Sequence, residues 1–366
     1  MLVAIALAAA AAAALVMRPV DDRREGSVPI DGARFRFVQP ATSYRVVYRS
    51  ETFGEETVER RQELVVRRPF EARLETHRGG RDRSTTINAF GRLKNDEAVF
   101  AVAPGPAPLD VRPDTFTRAA SREGLLEARE VRRVAGRSCR VLRTRGPETG
   151  PLEAVDEDAE TYSERCFDRR GILLEEVSVS DGEVRSRRLA TEVSEDPRIE
   201  DDTFETGDPT IPVDKGGGSV QRLAEGSKPP GDFFEARRDP TGLEHHGRYA
   251  VIPPQTGFDD PVERNKVVAF TSDVWTDGVD VVVVEQGATL GGAPPFQEAE
   301  GGVDVELGEA GSGQLVFNPV GAEVRALLGG GSFLRVFGTV PPDDLARVAR
   351  GLEQVEGGTI VVDEGS

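Results

Sequence analysis

The chain has 366 residues, 38% hydrophobic and 30% charged, which fits two ordinary folded cores and excludes a fibrous or wholly disordered polymer. Its formal charge of −18 carries no basic stripe, so nucleic acid is not an expected partner. The charge is uneven: residues 205–366 hold 27 acidic and 12 basic residues, the remainder 37 and 34.

Leu2 to Met17 is an uninterrupted, alanine-rich apolar run, followed by Arg18-Pro19 and the charged stretch Asp21 to Glu25. It is short of the roughly 20 residues that span a bilayer, so residues 1–17 read as a signal peptide or N-terminal anchor. The expected location is the periplasm or extracytoplasmic envelope. Residues 18–40 are charged and Gly/Pro-punctuated, a tether.

From Ser43 the pattern changes to period two, which antiparallel strands with one dry and one wet face produce. Tyr44, Val46 and Tyr48 alternate with Arg45 and Arg49, and Val58, Leu64 and Val66 with Glu59, Arg61 and Glu63. Phe70 to His77 is apolar and polar in turn, with Leu74 on the apolar side, and Gly79-Gly80 turns the chain into a strand ending at Phe90. Ala98 to Val102 is a further short strand. Asp114 to Ser121 reads as a short helix capped by Asp114. Strands follow at Glu127–Val134 and Cys139–Arg145, and Gly146 to Glu160 reads as an acidic loop. Ile172–Ser180 and Glu183–Val193 pair across Asp181-Gly182, a strong hairpin signal.

Residues 205–230, with Gly216 to Gly218 and Pro229-Pro230, read as a linker. Beyond it, Tyr249–Ile252 is a short strand, Asn265–Trp275 pairs with Val279–Glu285 across Asp277-Gly278, and Val281 to Val284 has the composition of a buried strand. Short elements are expected at Gln314–Asn318 and Val324–Leu328, and a strand at Ser332–Thr339. Leu345, Val348, Ala349 and Leu352 share one face of a helix that starts after Pro341-Pro342.

Two cysteines in an exported chain read as one disulfide, Cys139–Cys166, with two separate buried thiols as the alternative. Zinc needs three or four ligands, and no histidine lies near them. His245-His246 reads as a solvated loop rather than a metal site, and His77 as an exposed residue on a charged face. There is no nucleophile elbow and no phosphate loop, and Gly216–Gly218 and Gly329–Gly331 lack the strand-to-helix setting that a phosphate cradle needs. The acidic clusters at Asp156 to Asp158 and Glu200 to Asp202 lack calcium-loop spacing and read as solvated loops. No catalytic residue, metal or cofactor is therefore expected, and the chain reads as a non-enzyme. What remains is the apolar face of the first sheet: Tyr44, Val46, Tyr48, Val58, Leu64, Phe70 and Leu74. On a concave sheet these residues are either ordinary core under helices or the lining of an acyl-chain pocket.

The run Gly136-Arg137-Ser138-Cys139, then Tyr162 to Cys166-Phe167-Asp168-Arg169-Arg170-Gly171, then Arg188-Leu189-Ala190, and Asp196-Pro197 to Asp202-Thr203-Phe204 resembles the LolA-like superfamily. That superfamily holds the lipoprotein carriers LolA and LolB and the sigma-factor regulator RseB (MucB). The resemblance implies a curved antiparallel half-barrel covered by a few helices, with an apolar cavity for acyl chains. The paired strands at 265–285 and the tail from Phe333 to Pro341 into the Leu345–Leu352 helix resemble, more weakly, the RseB C-terminal domain.

The expected architecture is thus α+β, mainly antiparallel β. A LolA-like domain spans 41–204, a linker 205–230, a smaller α+β domain 231–358 and a tail 359–366. The expected role is an envelope protein that binds the acyl chain of a lipid or lipoprotein without catalysis. The alternatives are a regulator acting through a membrane-bound anti-sigma factor, and a structural envelope protein whose core is filled by its own side chains.

Overall fold

The computed structural model describes residues 40–89, 92–96, 98–102, 104–107, 110, 126–145, 161–210, 218–229, 233–236, 242–252, 267–289, 302–318 and 321–358. The expected helix at Asp114–Ser121, the whole Gly146–Glu160 loop, and the expected signal peptide and tail lie outside the described residues.

Among the described residues the first sheet has eleven antiparallel strands. β1 (Ser43–Thr52), β2 (Val58–Arg67), β3 (Glu71–Arg78), β4 (Arg81–Asn88), β5 (Arg92–Asn95) and β6 (Ala98–Ala101) meander to one edge. β7 (Leu126–Val134), β8 (Arg137–Arg145), β9 (Tyr162–Asp168), β10 (Leu173–Ser180) and β11 (Glu183–Glu195) meander in from the other. Pairing of β1 with β11, Tyr44 opposite Glu195 through Thr52 opposite Ser186, joins the two meanders. Period-two patterning and local turn chemistry build the pieces. At Gly79-Gly80 both residues have positive φ (52° and 82°), and Asp181-Gly182 (53° and 74°) does the same, the twist a two-residue hairpin needs.

Among the described residues the edge strands β6 and β7 do not pair with each other, and the sheet is open. One core nonetheless draws on both meanders: Tyr44, Val46, Tyr48, Leu64, Val66, Ala72 and Ile87 cluster with Val134, Cys139, Val141, Cys166 and Leu174. The few covering helices expected over this sheet reduce, among the described residues, to one 3-10 turn at Asp201–Phe204. Its Phe204 is buried, with the Arg67 guanidinium 5.0 Å from its ring centroid.

The second sheet has, among the described residues, eight strands, again two meanders joined in the middle. β12 (Ser219–Arg222), β14 (Glu244–Ile252), β15 (Val267–Thr276) and β16 (Val281–Thr289) form one. β17 (Val303–Glu306), β18 (Ser312–Asn318), β19 (Gly321–Leu328) and β20 (Ser332–Gly338) form the other, and β16 pairs with β20. β13 (Phe233–Ala236) pairs separately with β21 (Leu352–Val355). Part of the stretch read as linker is therefore the edge strand β12. The valine run explains itself, because both faces of β16 are covered. Val282 and Val284 join Leu334, Val336 and, from helix α1 (Pro342–Arg350), Leu345, Val348 and Ala349. Val281 and Val283 face the other way, with Tyr249, Val251, Val274 and Phe70. Helix α1 starts on Pro342 with Asp343 and Asp344 in its first turn and carries Arg347 and Arg350 in its last, matching the helix dipole. At the β16–β20 crossing a Cβ on Gly338 would lie 2.1 Å from the Val281 carbonyl oxygen, so only glycine fits.

Candidate functional site

Strand register arranges one side of the first sheet in rows. The first runs Tyr44, Val66, Ala72, Ile87 and Leu93 across β1 to β5, the second Val46, Leu64, Leu74 and Thr85. The third is polar, with Tyr48, Gln62, Thr76 and Arg83; the fourth pairs Ser50 with Arg60 and, across the next hairpin, Arg78 with Arg81. The reverse side is mainly charged, with Val47, Val65 and Thr86 among its ion pairs. There Arg45 pairs with Glu63 (2.7 Å), Arg49 with Glu51 and Glu59 (2.8 Å each), Arg73 with Glu75, and His77 Nδ1 with Asp82 (2.8 Å). His77 thus lies on the charged face, half-buried and hydrogen-bonded.

The expected lining residues divide. Tyr44, Val46, Tyr48 and Leu64 are buried together, and Leu74 packs against them partly exposed, as does Leu93 of the next strand. Val58 shares their side of β2 but sits opposite Thr52 beyond the arginine row, six residues from Leu64 or about 20 Å along the strand. Phe70 leaves the set. It lies in the β2–β3 turn and packs on the second sheet, its ring 4.8 Å from that of His246.

The tyrosine hydroxyls are anchored. Tyr44 donates to Asp110 Oδ1 at 2.7 Å and Tyr48 to the Leu173 carbonyl at 2.8 Å. Burial, then the Asp110 carboxylate, push the Tyr44 hydroxyl well above its ordinary pKa. Arg68, its side chain fully buried, pairs with Asp110 at 2.5 and 2.9 Å, donates to the Ala41 carbonyl and lies over the Tyr44 ring. Beside Tyr48, Arg188 stacks on the ring at 4.9 Å and pairs with Glu176. Burial drives the Glu176 carboxyl up, but Arg188 and Arg165 outweigh it and hold its pKa below the usual value. This end of the apolar face is a fixed core, and the partly exposed end lies at Leu74 and Leu93.

On the far meander the disulfide forms between β8 and β9, with Cα atoms 5.4 Å apart. Around it Arg132, on edge strand β7, reaches Glu164 and Glu175 (3.1 Å each), which also take Arg143 and Arg187 (2.8 Å each). Sequence reading missed this network and the Arg68–Asp110 pair, because neither partner lies near the other in the chain. The arginine rows were within reach, since Arg78 and Arg81 flank the Gly-Gly turn that sets their register.

His245 and His246 lie on β14 and not in a solvated loop. A bulge sets His245 opposite Trp275 and Gly247 opposite Val274, leaving His246 as the extra residue. His245 Nε2 is 3.5 Å from Asp273, and both histidines line a cleft of about 460 Å³ with Gly242, Glu244, Thr276, Asp277 and Gly278. Glu200 to Asp202 leads into the 3-10 turn at Asp201. Among the described residues no group of three His, Cys, Asp or Glu converges as a metal would need, and no helix is long and apolar enough to cross a membrane.

No family model matches the sequence, and no curated protein is similar to it. Solved structures are. A Pseudomonas aeruginosa MucA/MucB complex gives 16% identity and a TM-score of 0.32, covering 85% of this chain and 93% of that one. A structure of MucB gives 14% and 0.31, covering 85% and 92%. A LolA-superfamily protein from Nitrosomonas europaea gives 12% and 0.20, covering 46% and 92%. These are the groups that the sequence resemblance named.

Proposed function

We propose that this chain is a non-catalytic cell-envelope protein that binds the acyl chain of a lipid or lipoprotein on its first sheet. The observation that carries the reading is the single apolar face over β1 to β5, packed shut at Tyr44 and Tyr48 and left partly exposed at Leu74 and Leu93. Each methylene buried there contributes about 0.8 kcal/mol without any chemistry. Leu74→Glu with Leu93→Glu should abolish binding of a fluorescent fatty acid by the full chain, measured by titration, and leave its far-UV circular dichroism unchanged. A wild-type protein that binds no fatty acid, and co-purifies with none from an exporting host, sinks the reading.

A regulator acting through a membrane-bound anti-sigma factor is the second reading. It is favoured by the order of a large sheet followed by a second sheet on which Phe70 is seated. Co-purification of such a factor with the full chain is its direct requirement.

A further inference from the structure

Arg60, Arg78, Arg81 and Arg83 occupy the end of the apolar face, on the same side of the sheet as Leu64 and Leu74. Arg78, Arg81 and Arg83 are exposed and Arg60 is half-buried. Among the described residues none of the four makes an ion pair, whereas on the reverse side of these strands Arg45, Arg49, Arg61 and Arg73 each have a glutamate. Of the nearby acids, Asp82 on the reverse side is hydrogen-bonded to His77, Glu51 and Glu59 pair with Arg49, and Glu55 and Glu56 lie exposed in the β1–β2 turn. Arg78 lies directly opposite Arg81 across the Gly79-Gly80 turn, and like charges facing each other across strands destabilise a hairpin. A chain with 64 acidic residues thus holds, on one side of this corner, four guanidiniums that make no ion pair among the described residues.

We infer that this corner docks on the anionic headgroups of a phospholipid bilayer. Its position gives the geometry: lipid phosphates would meet Arg78, Arg81 and Arg83 at the hairpin tip, while the polar row of Gln62 and Thr76 leads from there to Leu74. Guanidinium matches phosphate in shape and charge, and a cluster of four basic residues is the size that reads a negative leaflet. The −15 of residues 205–366 does not oppose this, because the repulsion is screened beyond about 10 Å at 0.1 M salt and the arginines belong to the nearly balanced remainder of the chain. The inference rests on the acyl-binding reading and adds the surface from which the lipid is met.

The test is co-sedimentation of the full chain with phosphatidylcholine vesicles, with and without phosphatidylglycerol, at low and high salt. The expected result is partition onto the anionic vesicles only, falling with salt. With Arg78→Gln, Arg81→Gln and Arg83→Gln together it should drop roughly a hundredfold, at about fivefold per arginine. Both proteins keep the same N-terminal segment, so the difference reports the arginines. The triple variant should melt no lower than the wild type, since it relieves a like-charge pair. Equal partition onto both vesicle types, or equal partition of variant and wild type, overturns the inference. Fatty-acid binding separates the two proposals: it survives in the triple variant if only the docking idea fails, and is absent from the wild type if the acyl reading fails.

Discussion

Arg68 and Asp110 show how much one residue pair can carry. Both side chains are withdrawn from water, at 0% and 5% exposure, so each charge relies on the other. Replacing a buried ion's partner costs more than the pair contributes, typically 3–5 kcal/mol, because an uncompensated charge is left inside. Arg68→Met should lower the free energy of unfolding by about that amount in urea titration, and adding Asp110→Asn should restore part of it. A loss near zero for the single variant would show that the pair is not buried as a unit. None of this was legible in the sequence. An arginine before a proline looks like any turn residue, and its counter-charge lies 42 positions away.

At the scale of elements, strands and turns were the readable part. Alternation gave β1, β2 and β3 their dry and wet faces, and dipeptides such as Asp181-Gly182 gave the hairpins, because both signals act over a few residues. The cysteines were legible as a pair, and the bridge lies between neighbouring strands 27 residues apart. Cross-linking restricts the unfolded chain, so reduction should cost about 3–4 kcal/mol on the loop-entropy model, measured as a lower melting temperature in dithiothreitol. Fatty-acid affinity should survive below the new transition, since Leu74 and Leu93 sit on the other meander. Identical melting with and without reductant would remove this account. Misreading His245-His246 as loop had a local cause: a bulge inserts one residue into β14 and breaks the alternation that identifies a strand.

In the whole molecule the two sheets meet at Phe70 and His246. Burial first, then the Arg222 and His245 charges, lower the His246 pKa below its ordinary value near 6.5. The folded state therefore binds this proton less readily than the unfolded chain. Stability from the neutral ring is complete above about pH 6.5 and is lost as the pH falls below it towards the folded pKa. Melting temperatures from pH 8 to pH 5 should decline over that window, and His246→Gln should flatten that part of the decline. An unchanged slope in the variant would place the titrating group elsewhere.

The sequence by itself determined the antiparallel class, the turns, helix α1 and the two apolar faces of β16, since each follows from periodicity or from one or two residues with restricted φ. Only the tertiary structure decided that β1 pairs with β11, that Phe70 abandons its neighbours for the second sheet, and that Arg60 of the neighbouring hairpin joins Arg78, Arg81 and Arg83 at one corner. Those outcomes depend on which distant strand lies alongside and in which register. A shift of one residue would exchange the two faces of a strand, and that choice is made by packing across the molecule rather than by any local stretch of the chain.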